Sequence, residues 1–554
     1  MSSTFRRAAL ITAVLAIAAA GCGEKKEPTA AAPEEAADVG VVESDEPGTP
    51  GGSITYGLSA ETDGWNPSTS RWAPSGLMVA RAVFDTLATY DAEGGWQPNL
   101  AESFTPNEEY TAWQVKLRPG VTFHNGDPVD ADAVKANMDF HIASPLTSAP
   151  FEPVESVESD GELTVTVNTK APWVNWPYAM ATQIGVVGEP DWLASGDTRA
   201  PIGTGPFTFE SWEPDKELVV RKNADYWRDG YPYLDEVVFQ PIIDSQSRSS
   251  ALESGDLDAM LISDGEDIVD FTALAESGEF QLFSDTVGES NESFVQLNVT
   301  KPPFDDPDAR RALALATDKQ QVIDTVQAGL YEPSSGPFPP SSPWYVPTEY
   351  PEADPAEAAE LASAYAAEHG GPITFELLTP PDPTSQQTAD LLIDQWGAAG
   401  IEASSRTIQQ AEGILQVLTG NYQSVIWAQF DSPHPLGDSV WWHPNSVGEE
   451  GEFSLNFSRN KNEAIGEALD AARATTDPAE EKRLYGVAQE ELAKDIPYVW
   501  LYHYQTGVVA GNDLVNVTNW TTPDGAVGLP LQGGSHPLFQ VWLDDGASED
   551  EDED

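Results

Sequence analysis

The chain has 554 residues, of which 40% are hydrophobic and 10% aromatic, and its 17 Trp exclude a mostly disordered protein. We therefore expect a globular body of two or three lobes. The 91 acidic residues against 27 basic ones give a net charge of −64, which excludes nucleic-acid binding because a phosphate backbone demands a basic face. The acid is spread along the whole chain, so we interpret it as a solvated surface suited to high salt rather than as an attractor of cationic ligands.

The N-terminus has the layout of a secretory signal. Two arginines precede an apolar run over residues 8–20, which is too short to span a bilayer as a mature helix. The run leads into Ala-Ala-Gly-Cys, which resembles a bacterial lipobox, although Leu is preferred at the first Ala. The resemblance implies a signal peptide over 1–22 and a lipid anchor on Cys22, with plain secretion as the alternative. Because Cys22 is the only Cys, disulfides and thiol catalysis are excluded from the mature body.

Two further segments are predicted to be disordered. Residues 23–52 are mostly Ala, Pro, Glu, Asp, Gly and Thr with little that is apolar to pack, which is typical of a solvated tether. As a flexible coil this tether would span about 30 Å, enough to hold a globular body clear of a membrane. Residues 544–554 are a run of like charge, which predicts an acidic tail.

The body contains several segments with clear strand, turn and helix patterns. In 113–141 an alternating strand and two turns lead to a helix whose N-cap is Asp130, and His124 is read as a hydrogen-bonding group that fixes a turn rather than as a metal ligand. Residues 200–227 read as a Gly-Pro turn, a β-hairpin and an aromatic pair. Residues 373–405 read as strand, helix, strand, the element of an α/β lobe.

The same segments carry a family resemblance. The stretches RPGVTFHNGDPV from residue 118, IGTGPF from residue 202, NADYW from residue 223 and NVTKPPFDDP from residue 298 occur in the order found in extracellular solute-binding proteins of family 5, which feed peptide and nickel importers. The resemblance covers about 51–542, essentially the whole mature body. A generic capped helix would account for Asp306 and the residues after it, but not for the lead-in that precedes them.

The resemblance implies an α/β fold of the periplasmic-binding-protein-like type II class, with two lobes around a hinge and an extra subdomain on the first lobe. The first lobe is expected to be discontinuous, formed by 53–85, 200–298 and 506–543. The subdomain is expected over 86–199 and the second lobe over 299–505.

The ligand site is expected around residues 425–442. There an apolar strand ends in a polar loop that is broken by Pro and flanked by Trp427, Trp441 and Trp442, an arrangement suited to a concave aromatic pocket. The resemblance also places the loop that holds Trp65 at the ligand cleft. A Trp in a loop that ends in Pro could equally be a lid over core residues, and this alternative stays open.

One position departs from the pattern of peptide-binding relatives. In those proteins the Trp at position 427 is followed three residues later by an Asp that pairs with the α-amine of the peptide, whereas here that position is Phe430 and the acid, Asp431, comes one residue later. Either the loop is shifted and Asp431 serves, or the amine anchor is absent and the ligand is not a simple peptide. His434 and His443 lack acidic neighbours arranged to close a metal shell, so no metal is predicted.

The expected function is binding rather than catalysis. The sequence contains no G-x-S-x-G, H-E-x-x-H or Walker motif, which argues against an enzyme. The resemblance implies the receptor of an ABC importer, which captures a peptide or similar small solute by hinge closure and delivers it to membrane permease subunits. The alternative is a sensor, or a binder of nickel chelates or oligosaccharides, on the same fold. We expect no cofactor, and a monomer that is lipid-anchored to the outer face of the cytoplasmic membrane.

Overall fold

The structure is a computed structural model, and it describes residues 38–44, 46–70, 72–285, 291–429, 433–449 and 451–544. The predicted signal peptide, Cys22 and the acidic residues from 545 onwards lie outside the described residues. The described residues belong to one compact unit, 35–554. None of their helices combines the length and the apolar character needed to cross a bilayer.

The strands, in chain order, are β1 Ser53–Leu58, β2 Ala88–Tyr90, β3 Trp96–Pro98, β4 Ala101–Pro106, β5 Ala112–Leu117, β6 Val154–Ser159, β7 Thr164–Thr169, β8 Phe207–Glu213, β9 Glu217–Lys222, β10 Glu236–Pro241, β11 Ala259–Ile262, β12 Gln281–Ser284, β13 Asn291–Leu297, β14 Thr374–Thr379, β15 Glu402–Thr407, β16 Ser424–Gln429, β17 Tyr498–Tyr504, β18 Gly507–Ala510, β19 Leu514–Val515 and β20 Trp542–Leu543.

The α-helices are α1 Pro74–Val83, α2 Ala131–Ala143, α3 Trp176–Ala179, α4 Pro190–Ser195, α5 Ser245–Glu253, α6 Gly265–Glu276, α7 Pro307–Leu315, α8 Lys319–Val326, α9 Pro355–His369, α10 Pro383–Ala398, α11 Gln410–Thr419, α12 Ser439–Trp442, α13 Glu463–Ala474 and α14 Pro478–Asp495. Short 3-10 turns lie at Ala149–Phe151, Gln183–Gly185 and Pro444–Ser446.

The described strands form two large mixed sheets, one four-stranded antiparallel sheet and two antiparallel pairs, β2-β3 and β19-β20. A seven-stranded sheet has the order β12-β18-β11-β1-β10-β9-β8, in which β1 runs parallel to β10 and β11. A five-stranded sheet has the order β15-β14-β16-β13-β17, with β14 parallel to both its neighbours. The antiparallel sheet, β4-β5-β7-β6, belongs to the segment between β1 and β8. We refer to these three parts as the first lobe, the second lobe and the subdomain.

The boundary between the lobes differs from the expected one. The first lobe was expected to continue to residue 298, but β13 is hydrogen-bonded between β16 and β17 in the sheet of the second lobe. Every residue of β13 is buried, as is typical of a central strand covered on both faces. The chain therefore changes sheet before Asn291.

The chain passes between the two large sheets twice, and the described residues Asp285 and Thr506, one at each passage, are in contact. One leads from β12 to β13 and the other from β17 to β18. Asp285 N donates to Thr506 O at 2.9 Å, and Thr506 Oγ1 donates to Asp285 Oδ2 at 3.2 Å. Paired crossings of this kind form a hinge, because few backbone torsions lie between the lobes.

Local patterns explain several of the elements. The carboxylates of Asp130 and Asp306 accept hydrogen bonds from backbone N–H groups in the first turns of α2 and α7, which confirms the predicted caps. Asp354 caps α9 in the same way. The predicted strand, helix, strand segment is also confirmed, since β14 and β15 are parallel and joined through α10.

Residues 38–52 differ from the predicted tether. Val39 forms a β-bridge with Leu282 on the edge strand β12, Val42 N donates to Gln281 Oε1 at 2.7 Å, and Ser44 N donates to Asn516 Oδ1 at 2.9 Å. The acidic, Pro-containing composition predicted disorder, but the segment also contains a short run of β-branched residues that pairs with the edge strand β12. This part of the segment is therefore ordered against the first lobe, whereas residues 23–37 lie outside the described residues.

The Ile-Gly-Thr-Gly-Pro motif packs on the C-terminal end of α1. Gly205 N donates to Val83 O at 2.9 Å, and a Cβ at Gly203 or Gly205 would collide with the backbone of Val83. His124 fixes the same loop, as predicted: Gly203 N donates to its Nδ1 at 3.3 Å and its Nε2–H donates to Gly205 O at 3.0 Å. Burial lowers the pKa of His124 to about 4, which keeps the ring neutral.

Three side chains of the motif segments donate hydrogen bonds to Asp85, which lies two residues after α1. Thr204 Oγ1 and Trp227 Nε1 donate to its Oδ2 at 3.1 Å and 2.9 Å, and Tyr226 OH donates to its Oδ1 at 3.1 Å. Burial raises the pKa of Asp85 to about 6, because removal from water outweighs these hydrogen bonds and the nearby Arg228. The motif thus ties the β8–β9 hairpin to the end of α1.

This pKa predicts a pH dependence of stability. The pKa of Asp85 lies near 6 in the folded protein against 3.8 as the ordinary value, so the folded state holds a proton that the unfolded state releases between these values. The contribution of Asp85 to stability therefore falls as pH rises from about 4 to 6. We expect thermal unfolding scans at fixed salt to show a smaller decline over this window for Asp85→Asn. Parallel curves for the two proteins would contradict the assignment.

Candidate functional site

A cavity of about 1010 Å³ lies between the lobes, and all three parts of the molecule line it. The first lobe contributes the end of α1 and the loop before it, the subdomain contributes the segments around residues 147 and 183, and the second lobe contributes α11, β16 and the residues after β16. Representative wall residues, in that order, are Trp72, Phe84, Thr147, Gln183, Ile414 and Trp427. A concave site shared by separate domains is the usual location of a ligand.

Trp427 and Trp441 both line this cavity. Trp427 lies on β16 opposite Phe294 of β13, and Trp441 lies on α12. The rings meet through Phe457, whose centroid is 5.5 Å from that of Trp427 and 4.9 Å from that of Trp441. Both indoles are half-buried, so each presents part of its face to the cavity. The sequence pattern placed both residues at the expected ligand site, and both lie on one wall of the cavity.

Trp65 and Trp442 are placed differently from the expectation. Trp65 is 3% exposed and packs edge-on against Trp212, with ring centroids 5.5 Å apart, inside the core of the first lobe. Trp442 is 4% exposed and packs edge-on against Phe338. Neither indole belongs to the cavity wall that the described residues form. Of the two readings of the Trp65 loop, this burial agrees with the lid over core residues.

Phe430 and Asp431 lie outside the described residues. Strand β16 ends at Gln429, which lines the cavity and is directly followed by this pair in the sequence. Whether Asp431 serves as the amine anchor or the anchor is absent therefore stays open as a prediction.

The sequence analysis missed the charged groups of the first-lobe wall. Arg81, in the last turn of α1, lines the cavity, donates through Nε to Ser535 Oγ at 3.2 Å and also donates through Nη2 to Gln532 Oε1. Arg228 lies over the ring of Phe539, with its guanidinium carbon 4.3 Å from the centroid. The chain has only 27 basic residues, so an Arg among the apolar residues of α1 is unusual. This feature could have indicated a functional role for Arg81.

Direct contacts join the subdomain to the second lobe beside the cavity. The ring of Tyr178 stacks on His434 at 4.1 Å, and Asn175 Nδ2 donates to Glu481 Oε1 at 2.9 Å. His434 Nε2 lies 3.2 Å from the same oxygen of Glu481. His443 instead faces Asp470, at 3.4 Å. Within the described ranges, no group of three His, Cys, Asp or Glu side chains is placed to hold a metal ion.

Another contact crosses between the two lobes. Thr384 Oγ1, at the start of α10, donates to Asp264 Oδ1 at 3.0 Å, and both residues line the cavity. Burial raises the pKa of Asp264, while Thr384 and the nearby Arg248 oppose this shift. This hydrogen bond therefore joins the two lobes directly at the wall of the cavity.

Two lobes joined by paired crossings, with a cavity between them, define a solute-binding protein of the periplasmic-binding-protein-like type II class. The family model of bacterial extracellular solute-binding proteins, family 5 middle, matches residues 95–449. The chain belongs to this family, as its motifs indicated.

The chain is also similar to individual solute-binding proteins. The glutathione-binding protein GsiB of Escherichia coli is 27% identical over 444 residues, which cover 76% of this chain and 83% of that protein. The oligopeptide-binding protein AppA of Bacillus subtilis, solved with a nonapeptide, has a TM-score of 0.78 at 20% identity and covers 90% of this chain and 100% of that one. AgaA of A. tumefaciens R10, solved with agropinic acid, has a TM-score of 0.76 at 25% identity and covers 89% and 99%.

The cavity wall predicts unequal effects of two Trp substitutions. Trp427→Ala removes an indole from the wall, and we expect the Kd for the bound solute to rise about tenfold or more, or ~1.4 kcal/mol, since large aromatic anchors dominate binding energy. The matched control is Trp96→Ala, because Trp96 is also half-buried and packs edge-on against Phe104, but it lies in β3 and does not line the cavity. Isothermal titration of both variants checks this, and equal effects would place the site elsewhere.

Proposed function

We propose that this protein captures a peptide or peptide-like solute in the interlobe cavity and delivers it to the membrane subunits of an ABC importer. The observation that carries the proposal is the cavity itself, whose volume of about 1010 Å³ stands at the upper end of the range of about 300–1,000 Å³ that is usual for ligand sites. Its wall combines indole faces with guanidinium and carboxylate groups, which suits a solute that carries both charges and apolar surface.

The relatives support a charged, peptide-like solute. The curated relative binds glutathione, which is a tripeptide, and two structural neighbours were solved with a nonapeptide and with agropinic acid. Arg81 is suited to a carboxylate of such a solute, because a guanidinium presents five N–H donors in a fixed planar fork. Asp431 is the proposed partner of an α-amine, since it comes two residues after Gln429, where the strand that carries Trp427 ends.

Delivery by an importer implies a place at the membrane. We propose that residues 1–22 are removed as a signal peptide, that Cys22 carries a lipid, and that the protein acts as a monomer on the outer face of the cytoplasmic membrane. Cys22→Ser tests the anchor: we expect the variant to move from the membrane fraction to the soluble fraction after cell fractionation. Unchanged membrane association of the variant would exclude lipid attachment at this residue.

A thermal-shift panel tests the solute class. Ligand-stripped protein in molar KCl is heated with tripeptides, with nickel and histidine, and with oligosaccharides. A solute at about 100 times its Kd adds about 2.7 kcal/mol to the folded state, which gives a clear shift in Tm. We expect the shift with peptides, and a loss of that shift in Asp431→Asn. A response only to oligosaccharides or the nickel chelate would replace the peptide by the alternative solute class and leave the fold assignment intact.

A further inference from the structure

The wall of the cavity differs in chemistry between its two sides. On the first lobe, the lining residues include the charged side chains Glu61, Asp63, Arg81, Asp85, Asp215 and Arg228. On the second lobe, among the described residues that line the cavity between Ile408 and Phe457, the only Asp, Glu, Lys or Arg is Asp438. This part of the second-lobe wall is therefore largely apolar, whereas Asp382 and Arg473 line the cavity elsewhere on the second lobe.

The apolar side is a pocket built from two parts of the molecule. Its wall, which we call the apolar pocket, consists of Leu146, Ile414, Trp427, Trp441, Leu455 and Phe457. These residues belong to one cluster, in which Leu146 of the subdomain packs with the side chains of the second lobe. Phe457 and Leu455 are 6% and 8% exposed and form the floor, while Ile414 and the two indoles are only half-buried.

We propose that the apolar pocket receives a bulky apolar or aromatic side chain of the solute, so that the protein selects peptides that carry such a side chain. This inference rests on the proposed function and narrows its solute class. Arg81 on the first lobe would hold a carboxylate of the peptide, and the apolar pocket would take the side chain out of water. Glutathione, which the E. coli relative binds, has no bulky apolar group and would therefore leave this pocket unfilled.

The size of the expected effect follows from the surface that is buried. Full burial of a Phe or Leu side chain contributes about 1.5–3 kcal/mol, so a tripeptide with one Phe should bind about 10- to 100-fold more tightly than trialanine. Indole and phenyl rings on the pocket wall add edge and stacking contacts when the side chain is aromatic.

The test is isothermal titration with a matched series. The probes are trialanine, the three tripeptides in which one Ala is replaced by Phe, the corresponding Ser peptides, and glutathione. We expect one Phe position to give the 10- to 100-fold gain, with Ser and glutathione no better than trialanine. If trialanine binds and no Phe position improves on it, the inference fails while the proposed function stands. If none of the peptides binds, both fail.

Two neighbouring positions on α11 supply a matched pair of variants. Ile414 lines the pocket, whereas Leu415 is 46% exposed and does not line the cavity. Ile414→Gln should cut the ratio of Phe-peptide to trialanine affinity about tenfold, because a polar amide loses free energy on contact with the ring. Leu415→Gln should retain the full preference. Equal preferences in the two variants, with unchanged Tm, would overturn the assignment of the pocket.

Discussion

The arrangement of the first lobe and the subdomain depends on the hydrogen bonds that the carboxylate of Asp85 accepts. This carboxylate lies where the chain leaves α1 for the subdomain, and its three donors come from segments that follow the return of the chain: Thr204, Tyr226 and Trp227. Outgoing and returning chain are thus fixed at one point. Because Asp85 also lines the cavity, the same contacts set the position of the cavity wall.

Asp85 also explains why the motif has its particular residues. The loop needs glycine at 203 and 205 because a Cβ would collide with the end of α1, and it needs a hydroxyl between them to reach the carboxylate. The Tyr and Trp after β9 each supply one polar hydrogen to the same group. Burial raises the pKa of Asp85 to about 6, so at neutral pH the carboxylate is ionised and its hydrogen bonds are of the stronger, charge-assisted kind.

The sequence predicted best what is local. The caps at Asp130 and Asp306 and the β8–β9 hairpin follow from short-range patterns that no distant partner overrides. The predictions that failed concern contacts between residues that lie far apart in the chain. Nothing in the residues of β13 says that it pairs with β16 and β17, and a Trp such as Trp65 has the same local signature whether it faces a cavity or a core. Trp427 was placed on the wall because the end of a buried strand has a predictable location.

The acidity of the chain and the recognition of a solute are separate properties of the fold. Among the groups that line the cavity, Arg248 lies near Asp264 and Arg228 lies near Asp85, so these two carboxylates have cationic neighbours. The net charge of −64 is spread along the whole chain. At 1 M salt the Debye length is about 3 Å, which screens exposed carboxylates from one another, whereas groups inside a closed cavity are screened much less. A concentrated salt solution would thus remove the repulsion that opposes folding while leaving the charges that recognise a solute effective.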